Sequence, residues 1–225
     1  MIEADEKRLQ EERHGPSFDP NLLLEARRHT RQAITDIAAH VRPGMAESDA
    51  LAFARSRLKQ GGMLRGWHGI HVRFGTNTLK NFGKPSEPGV VLGDDDIFFI
   101  DIGPVWQGYE GDGGETHVVG HDPDMRRIAT DVRAVFDAVH ACWRRERATG
   151  MALYHFAQAE AARLGWVLNL EMSGHRLSDF PHAIKHKGAL MDVEYTPSTG
   201  AWVLEIQIRH PTRPFSAFYE DLLLE

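Results

Sequence analysis

Phe98-Phe99-Ile100-Asp101-Ile102-Gly103 and, a few residues on, Gly108-Tyr109-Glu110-Gly111-Asp112 are the stretches that decide the reading of this chain. Ile97–Gly103 reads as a buried strand, Pro104–Gly108 as a turn, and the run through His117-Val118-Val119-Gly120 as a second strand. An ionised carboxylate after four apolar residues is costly to bury without a partner. Alone, either aspartate reads equally well as a turn residue. Together, 11 residues apart on one hairpin, Asp101 and Asp112 come close enough that their like charges need a cation.

Three more residues extend the pattern. His175 stands in Met172-Ser173-Gly174-His175, with His182 seven residues later in Phe180-Pro181-His182. Glu205 interrupts the apolar run Trp202-Val203-Leu204-Glu205-Ile206-Gln207-Ile208, and Glu220 sits in Phe218-Tyr219-Glu220-Asp221-Leu222-Leu223. Each has a bland alternative: a hydrogen-bonded histidine in a chain of 13, or a strand glutamate turned to solvent. Asp101, Asp112, His175, Glu205 and Glu220 follow one another at intervals of 11, 63, 30 and 15 residues. Four carboxylates and one imidazole form an oxygen-rich set. Such a set suits two hard divalent cations side by side, because carboxylates bridge metals whereas thiolates favour zinc or iron–sulfur.

The rest of the chain supplies a scaffold. Asp19-Pro20 is an N-cap with proline at the first helical position. Leu23, Ala26, Ala33, Ile34, Ile37, Ala38 and Val41 then recur at helical spacing until Pro43-Gly44. A second helix runs from about Glu47 to Lys59, with Leu51, Ala54 and Leu58 on one face and Gly61-Gly62 as its stop. Residues 63–93 read as short strands with loops. Asp122-Pro123 opens a long helix to about Arg147, and Met151–Leu164 forms another. From Trp166 to Leu224, short strands alternate with turns. The order α-α-β-β occurs twice, over residues 20–120 and 121–225, which predicts an α+β fold of helices on a curved antiparallel sheet. Residues 1–18 are expected to be a polar N-terminal arm or frayed helix, and residues 19–225 a single domain.

Composition bounds the function. A chain of 225 residues with 42% apolar content buries one sizeable core. A net charge of −6 argues against a nucleic-acid partner. Cys142, the single cysteine, excludes an intrachain disulfide and a cysteine-based zinc site, and reads as a packing residue. No apolar run approaches a membrane span, and the opening MIEADEKRLQEER is unlike a signal peptide, so a cytoplasmic protein is expected.

Over roughly residues 20–225, the order Asp, Asp, His, Glu, Glu with a second histidine seven residues after the first resembles the pita-bread metallopeptidases. That family includes methionine aminopeptidase, Xaa-Pro aminopeptidase, prolidase and creatinase. The resemblance implies the pita-bread fold and two divalent ions, with manganese, iron or cobalt fitting better than zinc. It implies that Asp101 chelates one ion, that His175 and Glu205 hold the other, and that Asp112 and Glu220 bridge them. A shared water or hydroxide would be the nucleophile, Glu205 the proton shuttle, and His182 a hydrogen-bonding partner of the substrate. The implied activity is that of an aminopeptidase or dipeptidase. The alternatives are creatinase-like C–N cleavage or other small-molecule chemistry on the same fold, or a binding protein without catalysis.

Three positions depart from the family pattern. Its upstream histidine-glycine pair is matched by Phe82-Gly83, so Phe82 replaces a histidine beside the substrate, and His68 or His71 could substitute only through a rearranged loop. Arg176 follows the ligand histidine where the family has small residues. It reads as a substrate-binding clamp for a carboxylate or as a surface arginine, and Lys185, His186 and Lys187 add positive charge downstream. Glu115 stands where relatives carry arginine, and could pair with Arg176. These departures point to a small peptide or small carboxylate-bearing substrate. The arm is expected either to pack on a second subunit, as in a homodimer, or to be disordered.

Overall fold

The computed structural model describes residues 2–63, 65–182 and 188–225. Helices α1 (Ile2–Glu11), α2 (Pro20–His40) and α3 (Glu47–Gln60) precede strands β1 (His71–Phe74), β2 (Asp96–Ile102), β3 (Val105–Trp106), β4 (Tyr109–Glu110) and β5 (Gly113–Val119). Helices α4 (Pro123–Glu146) and α5 (Gly150–Arg163) follow, then β6 (Val167–Leu168), β7 (His175–Arg176), β8 (Trp202–Arg209) and β9 (Ser216–Leu222). One antiparallel sheet runs β1-β2-β5-β9-β8-β6, with β7 also paired to β8. The two α-α-β-β halves therefore meet where β5 pairs with β9.

The helices form where the sequence predicts them, and for the expected reasons. The Asp19 side chain accepts from the Asn21 amide, with Pro20 beginning α2. Asp122 accepts from the Asp124 and Met125 amides to start α4. Leu23, Ala26, Ala33, Ile34 and Ile37 make up most of the buried stripe of α2. On α3 the buried apolar stripe is Ala50, Ala54 and Leu58, one position off the expected Leu51. Cys142 is buried in α4.

Strand alternation divides the sheet into a helix-facing side and a site-facing side. On β8, Trp202, Leu204, Ile206 and Ile208 join the core beneath α4 and α5, which leaves Val203, Glu205 and Gln207 on the other face. On β9, Ala217 and Tyr219 join that core, Asp221 binds the guanidinium of Arg27 on α2 through two bonds of 2.6 Å, and Glu220 faces the site side. Phe98, Ile100 and Ile102 of β2 pack under α2 and α3, so Asp101 also faces the site side.

Two expectations need correction. A short turn was expected between Asp101 and Asp112; instead the small hairpin β3–β4 intervenes, turning at Gln107 (φ 48°) and Gly108 (φ 84°), as a type I′ turn requires. Gly111 N–H donates to Pro104 O at 2.7 Å and closes this excursion, so β5 resumes its pairing with β2. Of residues 1–18, expected as an arm or a frayed helix, Ile2–Glu11 form helix α1, and the chain at its end is docked. Glu12 is buried and accepts from Ser198 N and Trp202 Nε1, each at 2.8 Å, while Tyr195 Oη donates to Glu11 at 2.8 Å.

Candidate metal centre

Cross-strand register gathers the acidic residues. Asp101 on β2 lies opposite Gly114 on β5, Gly114 opposite Glu220 on β9, and Glu220 opposite Glu205 on β8. Directly paired residues of antiparallel strands point to the same face. The three carboxylates thus stand in one row across four strands, with no side chain at Gly114 to separate Asp101 from Glu220. His175 on β7 pairs with Val203, two residues from Glu205, and brings its imidazole over the end of the row. Asp112, just before β5, completes the set.

The ligand atoms converge. His175 Nε2 lies 2.8 Å from Asp112 Oδ2 and 3.6 Å from Glu205 Oε1, and Glu205 Oε2 accepts from Gly174 N at 2.9 Å. One group, Asp112, His175 and Glu220, has its ligand atoms within 4.8 Å of one another; a second, His68, Asp101 and Asp112, does too, so Asp112 belongs to both. Two carboxylate charges 4.8 Å apart repel by about 3.5 kcal/mol at an effective dielectric constant near 20. Glu220 Oε1 is buried without a hydrogen-bond partner, and Asp112 Oδ2 meets His175 Nε2 without hydrogen-bonding geometry.

The electrostatics reflect an excess of buried negative charge. Burial, followed by the charges of Asp112, Asp101 and Glu205, raises Glu220 well above the usual carboxylate range. Burial likewise pushes Asp101 up to about 7; His68 opposes the shift, and Asp112 and Glu205 add to it. Burial alone would raise Asp112, but His175 and His68 hold it well below its ordinary value. Burial disfavours the His175 cation, yet Asp112 and Glu205 outweigh this and carry it up to about 10. A divalent cation relieves all of these at once, and oxygen donors with imidazole suit one. The residues fit metal.

A cavity of about 430 Å³ opens over the row, walled by Trp67, Phe82, Met172 and His182, with Asp101, His175 and Glu205 reaching it. Phe82 is half exposed, and its ring meets His68 at 5.3 Å and His71 at 5.0 Å. Arg73 fixes the Phe82 loop by donating to the carbonyls of Lys80, Asn81 (3.1 Å) and Lys84 (2.7 Å). His182 is buried, with Nδ1 2.5 Å from Glu110 Oε2 and its ring 6.1 Å from that of His175. Glu110 also accepts from His182 N (2.8 Å) and Ser178 N (3.0 Å), so one buried carboxylate orients the histidine and its loop. Glu110 stands between Tyr109 and Gly111 with no sign of this role in the sequence, because the role depends on a contact 72 residues away.

Arg176 borders the cavity, but its guanidinium is engaged by backbone carbonyls, unlike the expected clamp. Its guanidinium donates to the carbonyls of Glu11 (3.1 Å), Leu177 (2.5 Å), Ala201 (2.6 Å) and Glu12 (2.7 Å), and the residue is 1% exposed. Neighbours in a strand point to opposite faces, so with the His175 imidazole turned to the carboxylate row the Arg176 side chain runs to the other side of β7, although Arg176 still borders the cavity. Glu115 pairs with Arg31 at 3.8 Å, not with Arg176. Lys185, His186 and Lys187 lie outside the described residues. His71 is held at about 4 by burial, with Arg73 and His68 alongside, and is neutral at pH 7. His68 is the unexpected arrival: its side chain is 6% exposed, with Nε2 3.1 Å from Asp112 Oδ1 and 3.7 Å from Asp101 Oδ1.

The model of metallopeptidase family M24 matches residues 21–212. The chain belongs to that family. Solved structures of similar fold include a prolidase from Pyrococcus horikoshii OT3, at 17% identity and a TM-score of 0.75 over 98% of this chain and 62% of that one. An X-Pro aminopeptidase from Thermotoga maritima MSB8 aligns at 16% identity and TM-score 0.75 over 100% and 62%. A methionine aminopeptidase from Thermotoga maritima aligns at 16% and 0.72, over 94% of both chains. This M24 chain therefore spans about three fifths of the prolidase and X-Pro aminopeptidase, and has the pita-bread fold. No curated protein matches it. No helix among the described residues is long and apolar enough to cross a membrane.

Proposed function

We propose that this protein is a dinuclear metal-dependent hydrolase that removes a residue from the amino end of a small peptide, as an aminopeptidase or dipeptidase. The observation that carries the reading is the membership of Asp112 in two ligand groups, as a bridging carboxylate between two ions needs. Asp101, Asp112, His175, Glu205 and Glu220 would hold the ions, with manganese, iron or cobalt suiting the oxygen-rich shell. Bound divalent ions would polarise a substrate carbonyl and bring the pKa of a water toward neutrality.

The chain's own residues do the remainder. Glu205, partly exposed at the cavity and anchored through one oxygen by Gly174 N–H, would take and return a proton. Because His182 Nδ1 faces the Glu110 carboxylate, Nε2 is the ring nitrogen left for a substrate oxygen. Trp67, Phe82 and Met172 give the walls apolar surface. Glu171, which also lines the cavity, offers negative charge to a peptide's ammonium group. With the Arg176 guanidinium already held by the carbonyls of Glu11, Glu12, Leu177 and Ala201, it offers no carboxylate clamp, and a peptide with a free amino end is the better substrate.

The experiment is a peptide panel. Protein reconstituted with manganese or cobalt is incubated with X-Pro dipeptides, longer peptides and amino-terminally acetylated versions, and products are identified by mass spectrometry. Release of the first residue from free-amino peptides alone supports the reading. Cleavage of acetylated peptides at equal rate overturns the amino-end assignment.

A further inference from the structure

We infer that His68 is a sixth metal ligand, holding one ion together with Asp101 and Asp112, so that each of the two ions receives one imidazole. The inference rests on the two-metal reading above and adds a ligand that the five-residue pattern lacks.

Asp112 stands between two imidazoles held in the same way. His175 places Nδ1 2.9 Å from the Arg176 carbonyl and Nε2 2.8 Å from Asp112 Oδ2. His68 places Nδ1 2.7 Å from the Gly69 carbonyl and Nε2 3.1 Å from Asp112 Oδ1. A carbonyl only accepts, so each Nδ1 carries the proton and each Nε2 is the metal-facing nitrogen. A backbone carbonyl behind the distal nitrogen is the usual support of a metal-binding histidine. Each oxygen of Asp112 thus has an imidazole on its own side, in the same arrangement. Asp101 Oδ1, 3.7 Å from His68 Nε2, closes the second group.

The position of His68 is built into the fold. Its loop is stitched to the segment after Asp101 by Trp67 N–H donating to Gly103 O (3.0 Å) and Val105 N–H to Arg65 O (2.8 Å). Trp67 Nε1 donates to Gly111 O (2.9 Å), next to Asp112. The loop is therefore tied to the backbone beside both aspartates. The His68 ring lies directly over Gly103, where a Cβ would fall 1.9 Å from Cδ2 and 2.1 Å from Nε2. Only glycine admits the ring there. With Phe82 in place of the upstream histidine, His68 brings a nitrogen into this half of the site from a different loop. A second imidazole moves the shell toward metals that favour nitrogen, so cobalt and iron should bind more tightly than manganese.

The test uses Co(II) alone as the probe, with calorimetry for stoichiometry and NMR for the hyperfine-shifted N–H signals of ligating imidazoles. Wild-type protein is expected to bind two ions and show two shifted N–H signals. His68→Gln should lose one signal and weaken one of the two ions on the order of 100-fold, while the other ion keeps the His175 signal. Gly103→Ala, which displaces the ring without touching it chemically, should have the same effect. Free imidazole should restore the second ion to His68→Gly. If wild-type protein binds two ions and His68→Gln binds both as tightly, with two shifted signals retained, the ligand assignment is wrong. If wild-type protein binds fewer than two ions, the two-metal reading itself fails and this assignment fails with it.

Discussion

Replacing Glu110 by glutamine tests whether one buried carboxylate positions the substrate-facing histidine. Glu110 has a 1% exposed side chain and accepts three hydrogen bonds: Ser178 N and His182 Nδ1 at Oε2, and His182 N at Oε1. Glutamine keeps the shape but has one oxygen and one amide nitrogen. With its oxygen toward the two donors at the Oε2 position, its amide opposes His182 N–H and leaves a buried donor unsatisfied, at about 1–3 kcal/mol. The two surviving bonds lose their charge assistance, costing about 1 kcal/mol each. The sum is about 3–5 kcal/mol, and the melting temperature of a domain this size shifts by about 2–4 °C per kcal/mol. A fall of about 10 °C is expected by scanning calorimetry, with metal content unchanged because Glu110 contacts no proposed ligand. Turnover should drop about 100-fold, the usual scale for losing one oriented donor at a developing oxyanion. Added to His182→Gln, the substitution should cost little more, since both remove the same interaction. A Glu110→Gln protein with wild-type melting temperature and turnover would refute the reasoning.

Three further outcomes are expected. Asp112→Ala should lose both ions in elemental analysis, whereas Asp101→Ala should retain one. Metal-stripped protein should lose stability as pH rises: Asp101 is raised to about 7 and His175 to about 10, so the fold holds protons that the unfolded chain releases from about pH 4 and pH 6.5 upward. Its melting temperature should fall from pH 5 to pH 9, and saturating metal should flatten the curve; a stripped protein that gains stability across that range contradicts the charge balance. Arg176→Met should destabilise by about 3–5 kcal/mol through its orphaned carbonyl partners, and should change KM equally little for anionic and neutral peptides. Selective loss of anionic substrates would reinstate the clamp.

Much of this site was legible because its chemistry follows backbone periodicity. Asp101, Glu205 and Glu220 interrupt apolar strands, and register alone places them in one row. The helices were legible through caps and stripes, as at Asp19-Pro20 and Asp122-Pro123. What escaped depends on direction and on loop contacts. Adjacency to His175 leaves a clamp and a surface arginine equally open for Arg176, and the buried guanidinium bound to backbone carbonyls is neither. His68 lies 44 residues from Asp112 in a glycine-rich loop, and only the stitching at Gly103 and Gly111 brings it there. Among the described side chains of helix α1 and its end, the buried one is the glutamate Glu12, just beyond the helix, so periodicity could not reveal the docking.

The dinuclear account is tested most directly by titrating metal-stripped protein with manganese or cobalt while following release of the amino-terminal residue from an X-Pro dipeptide. Turnover is predicted to be absent without metal, to remain low at one equivalent, and to reach its plateau at two equivalents per chain. Full turnover in stripped protein, or a plateau at a single equivalent, would contradict the two-ion site on which the proposed function stands.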